Sequence, residues 1–361
     1  MDDGGWAAIH QLVPSLLPHD AVGTHVIGLR DGLRARGLAS EIYSLSSVPA
    51  TAALARPAAE LLAGPPRWNT LLAYHLASGS TLATDLVSRP EPLAVVFHNV
   101  TPPHLMAPWA PDVARELLWA RRQLVDLAER ATVGIGVSEF NAADLRQAGY
   151  RKVAVAPLVL NTRAWPDPRP VDPAEPPRSD PEVLFVGRIA PNKAHLELVA
   201  AVALLRRTSL PDVRLRLVGS VEAVPSYVAA VRGLVDDLGL AGAVTLTGSL
   251  DDAGLADAYL AAAAFCCLSV HEGVGVPVLE AMHAGVPVVA LAEAAIPETL
   301  GPAGLLLPDS SPTTVAAALH RVLTDTVLRQ QLIAAGCRRV AELTAVDPVD
   351  AFLAAVSECP T

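Results

Sequence analysis

VLFVGRIAPNK, residues 183–193, is an apolar run that ends at Gly187 and then passes two cations, Arg188 and Lys193, before a helical pattern begins. The run is short enough to be a buried strand. In an α/β sheet, ligands bind outside the carboxyl ends of the strands, where helix N-termini offer unpaired N–H groups and partial positive charge. An Arg fork and a Lys point charge at that place make a cradle for a diphosphate. Two ordinary surface cations in a solvated loop fit the same letters. HEGVGVPVLEAMHAGVP, residues 271–287, repeats the design: a strand leads into a glycine-punctuated turn, and a helix follows with Pro277 near its first position and Gly285 past its end. The glycines let backbone approach a ligand closely. Glu272 falls in the turn and Glu280 one helical turn inside. Carboxylates accept hydrogen bonds from vicinal hydroxyls, so the pair suits a sugar and a ribose. A helix cap at Glu280 and a loop charge at Glu272 are the plainer alternatives.

Outward from these stretches, short apolar runs alternate with helical patterns. In the second half, strands are expected at 182–186, 214–218, 244–247, 265–269 and 286–291, with helices at 194–206, 227–238, 254–263 and 277–284. In the first half, strands are expected at 7–12, 39–45, 70–74, 93–98 and 133–137. Val26, Leu29 and Leu33 mark a helix over 24–36 that Gly37 stops, and Ser138 is placed to cap a helix over 141–148. This is the pattern of parallel doubly wound sheets. WPDPRPVDPAEPPRSDP, residues 165–181, alternates Pro with polar residues and lets neither helix nor sheet propagate. It divides the chain into a domain over 1–165, a linker over 166–181 and a domain over 182–343. The tail, 344–361, carries Val349, Phe352, Leu353 and Val356 on one helical stripe that must pack on something, and the first domain is one place for it.

Composition agrees. At 361 residues, 52% of them apolar, the chain can build two cores. A net charge of −10 argues against a nucleic-acid partner. The basic stretch Arg115 to Arg122 is either a solvated helix face or at most a peripheral membrane contact. The acidic start lacks the features of a secretion signal, and no long uncharged apolar run predicts a membrane span. Cys266, Cys267, Cys337 and Cys359 have no metal-ligand spacing, and adjacent Cys266 and Cys267 read as small buried hydrophobes. A cytoplasmic location is the expectation.

The two stretches together resemble the family 4 glycosyltransferases, retaining enzymes of the GT-B fold, whose pattern is an Arg and a Lys after a mid-chain strand followed by two Glu eight positions apart. DAVGTHV (20–26), VFHNVTP (96–102) and VSEFN (137–141) resemble one bacterial branch of that family. The resemblance implies two Rossmann-like doubly wound domains facing a central cleft, the first binding an acceptor and the second a nucleotide-sugar donor. It implies that Arg188 and Lys193 hold the donor diphosphate after Gly187. Glu272 would hold the transferred sugar and Glu280 the ribose, and the backbone of Gly273, Val274, Gly275 and Val276 would face the phosphates. His98 matches a family histidine beside the reacting sugar. Asp20, Ala21 and Gly23 occupy a loop where many relatives carry paired glycines, and Val274 replaces a usual aromatic residue.

Leu250 and Asp252 match the family's nucleobase pocket. Guanine presents two kinds of donor to an acid and uracil one, so Asp252 tilts the reading towards a GDP-linked over a UDP-linked sugar; a helix start at Asp251 and Asp252 is the alternative. No Asp-x-Asp occurs in the chain, and Arg188 with Lys193 can neutralise a diphosphate. No essential metal and no other cofactor are therefore expected. The acceptor, a small molecule or glycan, is left open. An epimerase or phosphorylase of the same fold, or a non-catalytic sugar-nucleotide binder, is the competing expectation.

Overall fold

The computed structural model describes residues 6–17, 20–162, 165 and 179–357. Two compact units divide them. The first groups Met1–Pro103, Asp112–Asn161 and Val346–Thr361, and the second groups His104–Pro111 and Thr162–Ala345. Most of the Pro-rich stretch, 166–178, lies outside the described residues.

The first unit holds a seven-stranded parallel sheet of β1 (Ala8–Leu16), β2 (Ile42–Ser47), β3 (Arg56–Pro57), β4 (Thr70–Leu76), β5 (Leu93–Phe97), β6 (Val133–Gly136) and β7 (Val153–Val155), in the order β3-β2-β1-β4-β5-β6-β7. Its helices are α1 (Ala21–Ala35), α2 (Ala58–Leu62), α3 (Thr81–Val87), the start of α4 (Pro103–Met106), α5 (Pro111–Asp126) and α6 (Glu139–Gln147). β4 is buried along its whole length, as a central strand covered by helices on both faces must be. Leu72, Tyr74 and Leu76 alternate onto one face with Leu93, Val95 and Phe97, against Leu82, Leu86 and Leu124 of the helices. Each such fully buried side chain contributes roughly 1.5–3 kcal/mol. Val13, Leu16, Val26 and Ile42 form a second cluster under α1.

The second unit holds a six-stranded parallel sheet of β8 (Glu182–Val186), β9 (Arg214–Val218), β10 (Val244–Gly248), β11 (Ala264–Cys267), β12 (Val288–Leu291) and β13 (Gly304–Leu307), in the order β10-β9-β8-β11-β12-β13. Between them run α7 (His195–Thr208), α8 (Pro225–Asp237), α9 (Asp252–Ala261), α10 (Val276–His283) and α11 (Ile296–Leu300), followed by α12 (Pro312–Thr324) and α13 (Thr326–Thr344). The chain starts this sheet in the middle, winds outward through β9 and β10, then returns to β11 on the other side of β8. The gap between β8 and β11 is the switch point where such sheets bind ligands.

Two segments join a unit away from their neighbours in sequence. Residues 104–111 group with the second unit: Ser226 Oγ donates to the Trp109 carbonyl at 2.7 Å, and the Trp109 and Tyr227 rings meet edge to face at 5.0 Å. The tail helix α14 (Pro348–Ser357) groups with the first. Trp6 Nε1 donates to the Val356 carbonyl, and Arg36 bridges Asp347 and Asp350 at 2.9 and 2.6 Å. The tail helix thus groups in one of the places its apolar stripe allows, while residues 104–111 group apart from the rest of 1–165.

Gly219, after β9, is held at φ +140°, and a Cβ there would lie 2.1 Å from the Gly187 carbonyl oxygen. The ends of β8 and β9 close together only because that Cβ is missing. Gly219→Ala should destabilise the second unit by about 2 kcal/mol or more, lowering its thermal transition by about 4 °C or more. An unchanged transition would show that the strand ends separate without penalty.

Candidate active site

β8 and β11 pair in parallel, with Ala264 opposite Val183 and Phe265 opposite Leu184, so the segments leaving their carboxyl ends are neighbours. After β8 come Gly187 and Arg188, then a 3-10 turn over Pro191–Lys193. After β11 comes the turn that carries Glu272. Asn192 ties the two together: it is buried, its Nδ2 donates to the His271 carbonyl at 3.3 Å, and its own carbonyl accepts from Val270 N at 2.9 Å. That clamp sets Lys193 Nζ 2.5 Å from Glu272 Oε1, with both side chains about six-sevenths buried. Lys193 and Glu272 are therefore in direct contact. Arg188, by contrast, lies exposed at the same end of the sheet.

The turn closes at Gly275, which precedes α10 in the left-handed conformation at φ +82°. A Cβ there would meet Ile296 Cδ1 at 2.7 Å, so glycine answers both the backbone conformation and the packing. Thr299 Oγ1 donates to the Val274 carbonyl and fixes the preceding peptide. α10 begins at Val276, with Pro277 second, so the helix opens one residue earlier than its proline alone suggests. At this first turn the helix supplies no internal acceptor for the Val276 amide.

Glu280 points back from α10 to α9, where Tyr259 Oη donates to its Oε2 at 2.7 Å. Burial, the largest influence, pushes its carboxyl up from 4.5 to about 7; the Tyr259 hydrogen bond opposes the rise and the charge of Asp252 adds to it. Asp252 is exposed, and it is Asp251 that caps α9, accepting from Gly254 N at 2.8 Å. The helix-start alternative thus holds for both residues, Asp251 as the N-cap and Asp252 as the first residue of α9. Leu250 precedes the cap, half-buried.

In the first unit, Ala21 and Gly23 are in the opening turn of α1, which starts three residues before the periodicity of Val26, Leu29 and Leu33 indicates. They are therefore helix residues and not a loop. Asp20 occupies the N-cap position without a side-chain cap bond, and Pro18 and His19 lie outside the described residues. Ser138 caps α6 by accepting from Asn141 N, as its position suggests. His98 leaves the end of β5 partly exposed and meets two other histidines, His75 of β4 and His25 of α1, at ring separations of 5.1 Å each. One ring nitrogen from each of the three lies within 4.8 Å of the other two. Burial drives His98 and His75 well below their ordinary range and His25 to about 4, so all three are neutral at pH 7. His283 ends α10 and packs on the Trp165 ring. Cys266 and Cys267 are buried in β11. In the basic stretch of α5, Arg115 pairs with Asp112, Arg122 with Asp126, and Arg121 with the Val100 carbonyl. Among the described residues no helix is long and apolar enough to cross a membrane.

Residues 180–325, which contain Arg188, Lys193, Glu272 and Glu280, match the family model described as Glycosyl transferases group 1. They form a glycosyl transferases group 1 domain. Among curated proteins, the D-inositol 3-phosphate glycosyltransferase of Kineococcus radiotolerans is 34% identical over 252 residues, covering 64% of this chain and 57% of that protein. The chain spans about half the length of the first curated relatives it matches, 57% and 41%. Among solved structures, a sucrose-phosphate synthase from Thermosynechococcus elongatus superposes with a TM-score of 0.71 at 22% identity, over 93% of this chain and 94% of that one. Anabaena HepE in complex with UDP-glucose superposes with a TM-score of 0.71 at 18% identity, over 96% and 98%. These likenesses establish the fold: two Rossmann-like domains of the GT-B type, the group 1 domain being the second.

Glu280 gives the group 1 domain a pH signature. A carboxyl raised by folding contributes stability below its unfolded value of 4.5 and loses it as pH rises through about 7. Glu280→Gln keeps a partner for Tyr259 and removes the buried charge. It should stabilise the ligand-free protein at pH 8 relative to pH 4.5 by up to about 3 kcal/mol, read as a rise in melting temperature that grows across that window. A shift that is the same at both pH values would mean that Glu280 is not buried as a charge.

Proposed function

We propose that the protein is a glycosyltransferase that moves a sugar from a nucleotide diphosphate sugar to a small-molecule or glycan acceptor, with retention at the anomeric carbon. The observation that carries the reading is the Lys193–Glu272 contact at the β8/β11 switch point, beside the opening turn of α10. Breaking the bond between sugar and phosphate develops negative charge on the leaving diphosphate and positive charge on the sugar. Cations fixed in advance where negative charge appears lower that barrier. Lys193 and the exposed Arg188 take this role, and the amides from Gly273 to Val276 supplement it. Glu272, once the diphosphate engages Lys193, accepts hydrogen bonds from the hydroxyls of the transferred sugar. Glu280 accepts from the ribose, and His98 contacts the sugar.

On this reading the base lies against Leu250 and Asp252. An exposed acid there suits the two donor groups of guanine, which favours a GDP-linked sugar; the likeness to a protein that holds UDP-glucose favours the UDP alternative. The first unit takes the acceptor. The cations replace a divalent metal, so turnover should persist in excess chelator, and its loss there would refute metal independence.

The decisive experiment begins with a thermal-shift panel of GDP- and UDP-sugars, since a ligand stabilises the folded state in proportion to the logarithm of its concentration over Kd. With the donor so found, Arg188→Ala and Lys193→Ala should each lower turnover by about 100-fold or more, the loss typical of one preorganised donor to a developing anion. Near-normal rates in both would overturn the assignment. Donor binding with no transfer to any acceptor would make the protein a sugar-nucleotide binder.

A further inference from the structure

Two of the three clustered histidines, His75 and His98, sit on a directed chain of hydrogen bonds. It begins at Gln11, fully buried on β1, whose Oε1 lies 2.7 Å from His75 Nε2. A carbonyl oxygen only accepts, so His75 carries its proton on Nε2. Neutral His75 then has a bare Nδ1, and that atom is 2.9 Å from His98 Nε2. His98 must donate there, which leaves its own Nδ1 bare. β1, β4 and β5 are adjacent strands, so the chain runs across the centre of the sheet and ends at its carboxyl edge.

We infer that Gln11 and His75 are positioning residues that lock His98 in the Nε2–H tautomer, so that it presents Nδ1 as a hydrogen-bond acceptor to a hydroxyl of the transferred sugar. The inference rests on the sugar contact assigned to His98 above. A fixed acceptor selects a sugar with a hydroxyl at the facing position and discriminates against a deoxy analogue, which would leave the His98 lone pair unmatched. His25 is not part of the relay but closes it off. Its Nδ1 accepts from Val159 N at 2.9 Å, so its proton is on Nε2, which is buried without a partner. That proton also separates this cluster from a metal site, since His25 could join as a ligand through Nε2 only after losing it. Reversal of the Gln11 amide would exchange every donor and acceptor along the chain and turn His98 into a donor, so the direction is open to direct measurement.

The test is long-range proton–nitrogen NMR on the full chain labelled with 15N-histidine, which distinguishes protonated from bare ring nitrogens without any ligand. His98 and His75 should each show a protonated Nε2 and a bare Nδ1, unchanged between pH 5.5 and 8. A protonated His98 Nδ1 would overturn the inference, as would displacement of all three histidines' signals by one equivalent of zinc. Gln11→Met removes the acceptor at the start of the chain while filling its space. It should mix the His98 tautomers and lower kcat about 10-fold while leaving KM for the donor within about twofold, measured with whichever of UDP-glucose and GDP-mannose raises the melting temperature. An intact His98 tautomer and normal kcat in that variant would overturn the positioning role. His98→Ala keeps the two failures apart: if it leaves kcat unchanged, the sugar contact itself is wrong, whatever the tautomer.

Discussion

Lys193 and Glu272 are 79 residues apart in the chain and meet because β8 and β11 lie side by side, parallel, at the point where the second sheet reverses its winding. The contact depends on the buried Asn192, which hydrogen-bonds the two loops together. A partly buried ion pair is a poor source of stability, because desolvation of the charges offsets much of their attraction. Its value here lies in position. The attraction holds the ammonium where a helix begins, at an electropositive place for an incoming anion. On the proposed reading, a diphosphate takes over the partner's role at Lys193, and Glu272 is released to hydroxyls that exist only when donor is bound.

The candidate groups of the two units differ in charge. In the second, Lys193 and Glu272 meet as ions at the sheet's carboxyl edge, while the burial of Glu280 against Tyr259 makes its charge costly. In the first, burial empties the three histidines of charge altogether. A neutral imidazole can be oriented by hydrogen bonds alone, and Gln11 supplies the orientation. On the proposed reading, the second unit meets phosphate with fixed cations, and the first meets a sugar hydroxyl with a fixed lone pair.

Much of this was legible in the letters. The strands 182–186 and 214–218 appear at the bounds read from apolar runs, and Ser138 caps its helix, because a buried parallel strand and an N-cap both have strong local signatures. Arg188, Lys193, Glu272 and Glu280 were marked by glycine and proline spacing. The residues that hold them were not. Asn192 looks like any turn residue, Tyr259 like a core aromatic, and Gln11 and His75 sit inside apolar strands with no period to set them apart. Their partners are distant in sequence, so only the pairing of strands reveals them. Helices α12 and α13 and strand β13 have no signal that stands out in a chain so rich in Ala and Leu, whereas the apolar stripe of the tail helix already points to packing such as that with the first unit, where Arg36 meets Asp347 and Asp350.

A crystal structure with bound nucleotide, UDP or GDP according to which raises the melting temperature, bears most directly on the role given to the β8/β11 junction. The diphosphate should lie with an oxygen about 3 Å from Lys193 Nζ and the ribose hydroxyls on Glu280. A nucleotide seated elsewhere, with the Lys193–Glu272 pair still closed, would contradict it.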